Sequence, residues 1–334
     1  MSGGDGVPRP TLSLLDRVLP TEVRGRALVV GDLMLDRYLM GEVGRISPEA
    51  PVPVVRARGQ RLRPGGASNV ALGIRALGGE CALVGLVGED RAGAALRERM
   101  SRKGVANGGV LTDASRPTTV KVRVLARHQQ MLRIDHEETR PAGGATEERL
   151  REAALAELAE ADVLVLDDYD KGTVTPGLAS ALIEAASERG IPSIVDPKLR
   201  NFFAYGGVDV FKPNGSEVAS ALGREQMPED VETLRKLAGR VGSRHLLVTV
   251  GERGMVLLEE GADALIRIES RARDVFDVSG AGDTVTAVLA AGLMGGGPLL
   301  EAAVLANHAA GLEVARLGAR PVARGEIARS LREA

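Results

Sequence analysis

The sequence predicts an α/β fold: a central, mostly parallel sheet with helices on both faces and a small β appendage. Three observations carry this. Short apolar runs alternate with helix-period stretches through most of the 334 residues, the pattern of a sheet built from strand–helix–strand units. The apolar runs are continuous and β-branched, as strands covered on both faces must be. Two further segments have strand character but do not fit such units.

In chain order, residues 1–25 read as a loose or partly helical lead-in, and 26–334 as one domain. The lead-in lacks the basic start and long apolar stretch of a secretory signal. Strands are expected at ALVVGD (27–32), CALVGLVG (81–88), DVLVLDD (162–168), PSIVDP (192–197), DVFKPN (209–214) and HLLVTVG (245–251). Helices are expected at ASNVALGIRALGG (67–79), TEERLREAALAELAEA (146–161) and GLASALIEAASERG (177–190). In the first of these Val70, Ile74 and Leu77 share a face and Gly78 caps the end. Segments 36–62 and 117–137 break the alternation. In the latter, Val120, Val122 and Val124 alternate with Lys121, Arg123 and Leu125, and a turn near Arg127–Gln129 returns the chain. Together these segments are expected to form a small antiparallel sheet, polar on one face, that covers a site as a lid.

Composition narrows the function classes. Hydrophobic residues make up 44% and aromatic residues 2%, with no Trp, so the core must be aliphatic. The 43 basic and 45 acidic residues leave a net charge of −2, which offers no polyanion surface and argues against nucleic acid as partner. The single cysteine, Cys81, sits in an apolar run and reads as a buried small hydrophobe, consistent with a cytoplasmic protein. No apolar run approaches the ~18 residues of a membrane span.

Several strands end in polar or turn residues: Asp32, Asp168, Asp196, Asn214 and Gly251. Strand ends often carry turn residues, but in a parallel sheet that edge is also where ligands bind. The most informative stretch is DVSGAGDTVTAVLAAGL (277–293). Gly280, Ala281 and Gly282 place backbone N–H groups at a helix N-terminus, an anion site with no side chain in the way. Asp283 lies in the first turn, where the helix dipole favours its ionised form. A carboxylate beside an anion hole is placed to accept a proton from an attacking hydroxyl while the amides hold a phosphoryl group. A glycine-rich turn with an ordinary capping aspartate gives the same string.

RPGGASNVALGIRALG (63–78) and DVSGAGDT (277–284) resemble the early, sugar-binding signature and the late signature of the ribokinase-like, PfkB-type carbohydrate kinases, a likeness that covers residues 27–320. DVSGAGDT departs from that family's DTGAGD pattern at Val278 and Ser279. The resemblance implies a three-layer sandwich, ATP and Mg²⁺ as cofactors, Asp283 as catalytic base, and Gly280, Ala281 and Gly282 as its anion hole. KPNGSE (212–217) resembles the family's Asn-x-x-Glu motif, which implies a nucleotide-binding role for Asn214, Gly215, Ser216 and Glu217. Glu217 would order Mg²⁺ through water, in keeping with an ion that keeps its hydration shell; a helix N-terminal carboxylate is the plainer reading. VTVGERG (248–254) resembles the nucleotide-phosphate loop, with Thr249, Gly251 and Gly254, and Asn307 matches a position lining the adenine pocket.

One branch of the family is closer still. GDLMLDRYLMGEVGRISPEAPVPVV (31–55), TTVKVRVLARHQQMLRIDHEE (118–138), LDDYDKG (166–172) and VDPK (195–198) resemble the D-glycero-β-D-manno-heptose 7-phosphate kinases of lipopolysaccharide precursor synthesis. The resemblance implies phosphorylation of a heptose 7-phosphate to the 1,7-bisphosphate. A chain ending at residue 334 is expected to be the stand-alone kinase, without the nucleotidyltransferase domain of bifunctional relatives. A phosphorylated sugar requires cations; Arg127, Lys171 and Lys198 are the candidates, while Asp32, Asp36, Gly65, Gly66 and Asn69 suit sugar hydroxyls. Relatives pair their lids and exposed sheet edges are usually covered, so a homodimer through the lid segments is expected. Another sugar or sugar-phosphate kinase, or a non-catalytic sugar- or nucleotide-binding regulator on the same fold, are the alternatives. A dinucleotide-dependent oxidoreductase and a P-loop kinase lack their fingerprints, GxGxxG after the first strand and GxxxxGK[ST].

Overall fold

Alternate residues of the central strands point into two separate apolar cores, and this sets the layering. Ala27, Val29, Val163, Val165, Ile194 and Leu247 join one core. Their neighbours Leu28, Val30, Leu164, Leu166, Val195 and Leu246 join the other. A computed structural model describes residues 7–21, 25–127, 129–272, 275–316 and 318–333; part of the lead-in (1–6 and 22–24) and His128 of the lid turn lie outside the described residues.

The chain opens with α1 (Leu12–Val18), capped by the Thr11 side chain, then β1 (Arg26–Gly31), β2 (Leu33–Ile46) and β3 (Pro53–Gly66). Next come α2 (Ala67–Leu77), β4 (Glu80–Val87), α3 (Arg91–Arg102), β5 (Val110–Thr112), β6 (Thr119–Ala126) and β7 (Gln129–His136). The middle holds α4 (Ala145–Leu158), β8 (Val163–Asp167), α5 (Pro176–Glu188), β9 (Ser193–Asp196), β10 (Val210–Phe211) and α6 (Gly215–Ala221). The rest is α7 (Val231–Val241), β11 (His245–Thr249), β12 (Met255–Leu258), β13 (Ile266–Ile268), α8 (Ala281–Met294), α9 (Leu299–Val314) and α10 (Arg324–Glu333).

The main sheet has nine strands in the order β13-β12-β11-β10-β9-β8-β1-β4-β5, all parallel except β12, which pairs antiparallel with both β11 and β13. α2, α8 and α9 pack on one face through Val70, Ile74, Val285, Leu289 and Leu305. α4, α5 and α7 pack on the other through Leu150, Leu158, Leu182, Leu234 and Leu237. Each such side chain, fully buried, contributes roughly 1.5–3 kcal/mol. Gly78 ends α2 in the left-handed region, φ 102°, where a residue without Cβ is favoured. Strand order reverses between β1 and β8, which places a crevice at their carboxyl ends.

The lid is a four-stranded sheet, β3-β2-β6-β7. It corrects the expectation of a purely antiparallel sheet, because β2 and β6 run parallel. The chain between them travels through the main sheet and returns from the same end. Sequence reading placed most of β2 in the 36–62 lid segment but did not separate it from β3, since its charged half has no apolar run. One lid face carries Asp36, Tyr38, Lys121 and Arg123 in register, and leans on the body where Arg63 donates to the carbonyls of Gly318 and Ala319, at 2.8 and 2.6 Å. The opposite face is apolar and partly bare: Leu132 is 55% and Ile134 42% exposed.

Candidate active site

The carboxyl ends of β1, β8, β9, β10 and β11 deliver Asp32, Asp167, Asp196, Lys212 and Thr249 to one crevice, and the N-terminus of α8 lies across them. Gly280 is the N-cap of α8 with φ 87°, a left-handed turn that swings the chain into the helix. The Ala281 N–H reaches the Val278 carbonyl at 3.3 Å. The amides of Gly282 and Asp283, in the first turn, have no intrahelical acceptor, so of the expected Gly280–Gly282 donors Gly282 is joined by Asp283 rather than by Ala281 as a group placed to receive an anion. A Cβ on Gly282 would lie 3.7 Å from Asp196 Oδ2 and 3.8 Å from Lys212 Nζ, so this glycine keeps open the space between those charges.

Asp283 is buried and held at both oxygens. Tyr169 OH donates to Oδ1 at 2.6 Å and Asn69 Nδ2 donates to Oδ2 at 2.8 Å. Burial pushes its carboxyl up to about 6, and the Asp196 charge adds to this, while the two hydrogen bonds and Lys212 pull the other way. A base poised there is ionised at neutral pH yet basic enough to take a hydroxyl proton in a transition state. Lys212, 2% exposed, pairs with Asp196 at 2.8 Å. Asp167 lies against both: one oxygen from each of Asp167, Asp196 and Asp283 falls within 4.8 Å of the others.

Beside this cluster opens a cavity of about 700 Å³, lined by Tyr169, Lys198, Lys212, Asn214, Thr249, Gly251, Gly254, the Gly280–Asp283 turn, Asn307, Ala310 and Val314. Its polar end meets the anion hole and its apolar end meets α9, a shape suited to a triphosphate joined to a flat base. Gly254 must be glycine, because a Cβ there would sit 2.1 Å from the Ile268 carbonyl. Asn307 donates to the Glu269 carbonyl at 2.6 Å and so stands fixed in the wall. Asn214 caps α6 in a reciprocal box with Glu217: its side chain accepts from the Glu217 N–H at 2.9 Å, and Glu217 Oε2 accepts from the Asn214 N–H at 2.8 Å. Glu217 Oε1 is met by Lys198. With both oxygens engaged, this hard carboxylate fits Mg²⁺ reached through water better than a bare ion. Burial would lower the Lys198 pKa, but Asp196 and Glu217 outweigh it and raise it.

The residues expected to hold substrate are distributed unevenly. Gly65, Gly66 and Asn69 lie where β3 enters α2, and a Cβ on Gly65 would lie 2.7 Å from Asp36 Oδ2. Asp36 pairs with Arg123 of the lid. Asp32 accepts from the backbone N–H groups of Tyr169, Lys171 and Thr173 at 2.7–2.9 Å, so it orders the loop after β8. Lys171 pairs with Glu137 at 2.8 Å, which Lys121 also meets at 3.1 Å. Lys198 stands on the nucleotide side, over the Tyr169 ring at 5.1 Å. Arg127 is exposed at the end of β6. The three cations are thus held by different surroundings rather than gathered at one point. Gly215 and Ser216 form the first turn of α6, and the Ser216 hydroxyl donates to Asn214 Oδ1 at 2.6 Å. Sequence reading missed Tyr169, Asp167 and Lys212. A tyrosine in a chain with 2% aromatics, and charges directly at strand ends, were the available signals.

Comparison with known proteins agrees with this geometry. The profile of the pfkB family of carbohydrate kinases matches residues 25–324. The bifunctional protein HldE of Pelobacter propionicus is 47% identical over 304 residues, 90% of this chain and 62% of its own length. HldE of Azorhizobium caulinodans is 45% identical over 305 residues, 91% and 64%. The chain therefore spans less than two thirds of these relatives. Among solved structures, Arabidopsis thaliana ribokinase complexed with ribose and ATP superposes with a TM-score of 0.71 at 23% identity, covering 92% of this chain and 98% of that one. Escherichia coli phosphofructokinase-2 in complex with potassium gives 0.72 at 20%, covering 93% and 98%. At those identities the structures establish the fold.

Proposed function

This chain belongs to the pfkB family of carbohydrate kinases, and we propose that it transfers the γ-phosphoryl group of ATP to the anomeric hydroxyl of a heptose 7-phosphate. The observation that carries the kinase chemistry is Asp283, oriented by Tyr169 and Asn69 and set one residue from the free amides of the α8 N-terminus. The triphosphate lies along the Asn214–Glu217 and Thr249–Gly254 segments with the base toward Asn307 and Val314. Asp283 takes the proton of the sugar hydroxyl as that oxygen bonds to the γ-phosphorus. The bond to the β–γ bridging oxygen breaks, and ADP leaves. The Gly282 and Asp283 amides hold the equatorial oxygens of the phosphoryl group in flight. Mg²⁺ supplies charge neutralisation on the triphosphate when bound. Lys198, displaced from Glu217 by the incoming nucleotide, turns its charge to the phosphates.

The sugar assignment rests on the RISPEAPVPV segment and on the lid cations. Lys171 and Lys121, joined through Glu137 at the lid base, offer the positive charge that a phosphorylated sugar requires. We assign Arg127 to the same role at the lid end. The bare apolar lid face, with Leu132 and Ile134, suits pairing with a second copy, in a cytoplasmic homodimer.

The test is kcat/KM for heptose 7-phosphate, free heptose, fructose 6-phosphate and ribose, in wild type and Lys171→Met. Charge-assisted hydrogen bonds of ~1.5–3 kcal/mol each predict a loss of ~10²-fold or more when the substrate phosphate is removed. Lys171→Met should damage turnover of the phosphorylated sugar far more than of the free one. Free sugars matching or beating sugar phosphates would overturn the substrate assignment and leave the kinase chemistry standing.

A further inference from the structure

Asp167 has no role in the chemistry described so far, and its surroundings are anomalous. It is the last residue of β8, 0% exposed, and neither carboxyl oxygen has a hydrogen-bond partner. The donors of the cluster are already directed elsewhere. Lys212 faces Asp196, while Tyr169 and Asn69 face Asp283. The groups facing Asp167 are the carboxylates of Asp196 from β9 and Asp283 from α8, with the opposing charges of Lys198 and Lys212 a smaller influence. An ionised carboxylate there would be a buried charge with no donor, beside two like charges, which is among the most unfavourable arrangements in a protein. One proton resolves it, because a neutral acid removes the unsolvated charge and turns Asp167, the one of the three carboxyls with no donor, into a donor itself.

We propose that Asp167 carries a proton in the working enzyme and acts as a positioning residue, its carboxylic O–H donating into the Asp196–Asp283 pair and stabilising the ionised form of the base. Burial, then the charges of Asp283 and Asp196, push the Asp167 carboxyl well above its ordinary value, in agreement with the geometry. With oxygens of all three carboxyls within 4.8 Å of one another, like-charge repulsion disfavours ionising every member at once. The role of Asp167 rests on the reading of Asp283 as base, and the test separates the two.

Infrared difference spectra of the full chain at about pH 8 should show the carbonyl stretch of a protonated, desolvated carboxylic acid, a state an ordinary aspartate does not keep at that pH. Asp167→Asn should remove the Asp167 component of the band and Asp283→Asn should keep it, whatever happens to turnover; buried Glu313, its carboxyl pushed up to about 8 by burial, contributes a component common to all three proteins. In Asp167→Leu, which removes the donor, the acid limb of kcat/KM should move up by about one pH unit. Asp167→Asn, neutral and still a donor, should bring it back. Absence of the Asp167 component, an acid limb that falls in Asp167→Asn, or a raised Mg²⁺ requirement in that variant would each overturn the proposal, since each implies an ionised Asp167. Should Asp167→Leu fail to fold, the spectrum and the Asn variant still decide.

Discussion

Replacing Asp283, the proposed base, should stabilise the protein while silencing it, and the pH dependence of that gain reports on the buried charge. Asp283 is 4% exposed, and burial lifts its carboxyl from 3.8 to about 6 against the pull of Tyr169 and Asn69. Between those values the folded protein holds a proton that the unfolded chain has released. Unfolding free energy therefore falls as pH rises through that window, and the penalty is complete above it. At about 1.4 kcal/mol per pH unit the penalty is about 3 kcal/mol. Asparagine removes the charge, but its amide can accept from only one of the two donors, which returns about 1 kcal/mol. Asp283→Asn should thus gain about 2 kcal/mol at about pH 8, or about 3 °C in Tm for a chain of this length, and nothing near pH 4. Its turnover should fall roughly 10²–10⁴-fold with nucleotide binding retained. Urea and thermal unfolding of both proteins at acid and alkaline pH, beside a coupled ADP assay, make the comparison. A stability difference that does not change with pH, or a wild type more stable at alkaline pH, would refute the assignment of a strained buried charge to Asp283; near-normal turnover would refute its role as base.

Other expectations follow from the same contacts. Tyr169→Phe removes a donor to the ionised base, so the acid limb of kcat/KM should move to higher pH by about one unit; a superimposable profile would show that this bond does not tune the base. Gly282→Ala meets no atom closer than 3.7 Å, so the fold should survive while the methyl narrows the phosphate space; unfolding curves should overlay and ATP affinity should drop about tenfold or more. Glu217→Gln keeps the α6 capping box but loses the charge, so a Mg²⁺ titration should shift to higher concentration, and an unchanged titration would remove Glu217 from metal binding. Leu132→Asp with Ile134→Asp charges the bare lid face; light scattering should find a dimer for wild type and monomers for the variant, and a monomeric wild type at micromolar concentration would dismiss the proposed interface.

Six of the central strands and the helices at 67–79, 146–161 and 177–190 were legible because their signals are local: continuous apolar runs, 3.6-residue periodicity, a glycine after the last turn. The Gly280–Asp283 turn was legible for the same reason, since glycines and a first-turn carboxylate are adjacent in the chain. β12 and β13 were not, being short strands of four and three residues, β12 paired with β11 and β13 with β12. The bounds of β2, inside the 36–62 segment, were not legible because its charged residues are compatible with a strand only once β3 and β6 flank it.

The sequence by itself determined the aliphatic two-sided sheet, the anion-binding turn and the order in which polar residues arrive at strand ends. Only the tertiary structure decided what those residues do to one another. Asn69 and Tyr169, 214 and 114 positions from Asp283, become the two donors that orient it. Asp32 becomes an acceptor for a distant loop, and Asp167 becomes a carboxyl with no donor. Charge and hydrogen bonding depend on separations of a few ångströms and on the exclusion of water, and neither is encoded in the spacing of residues along the chain.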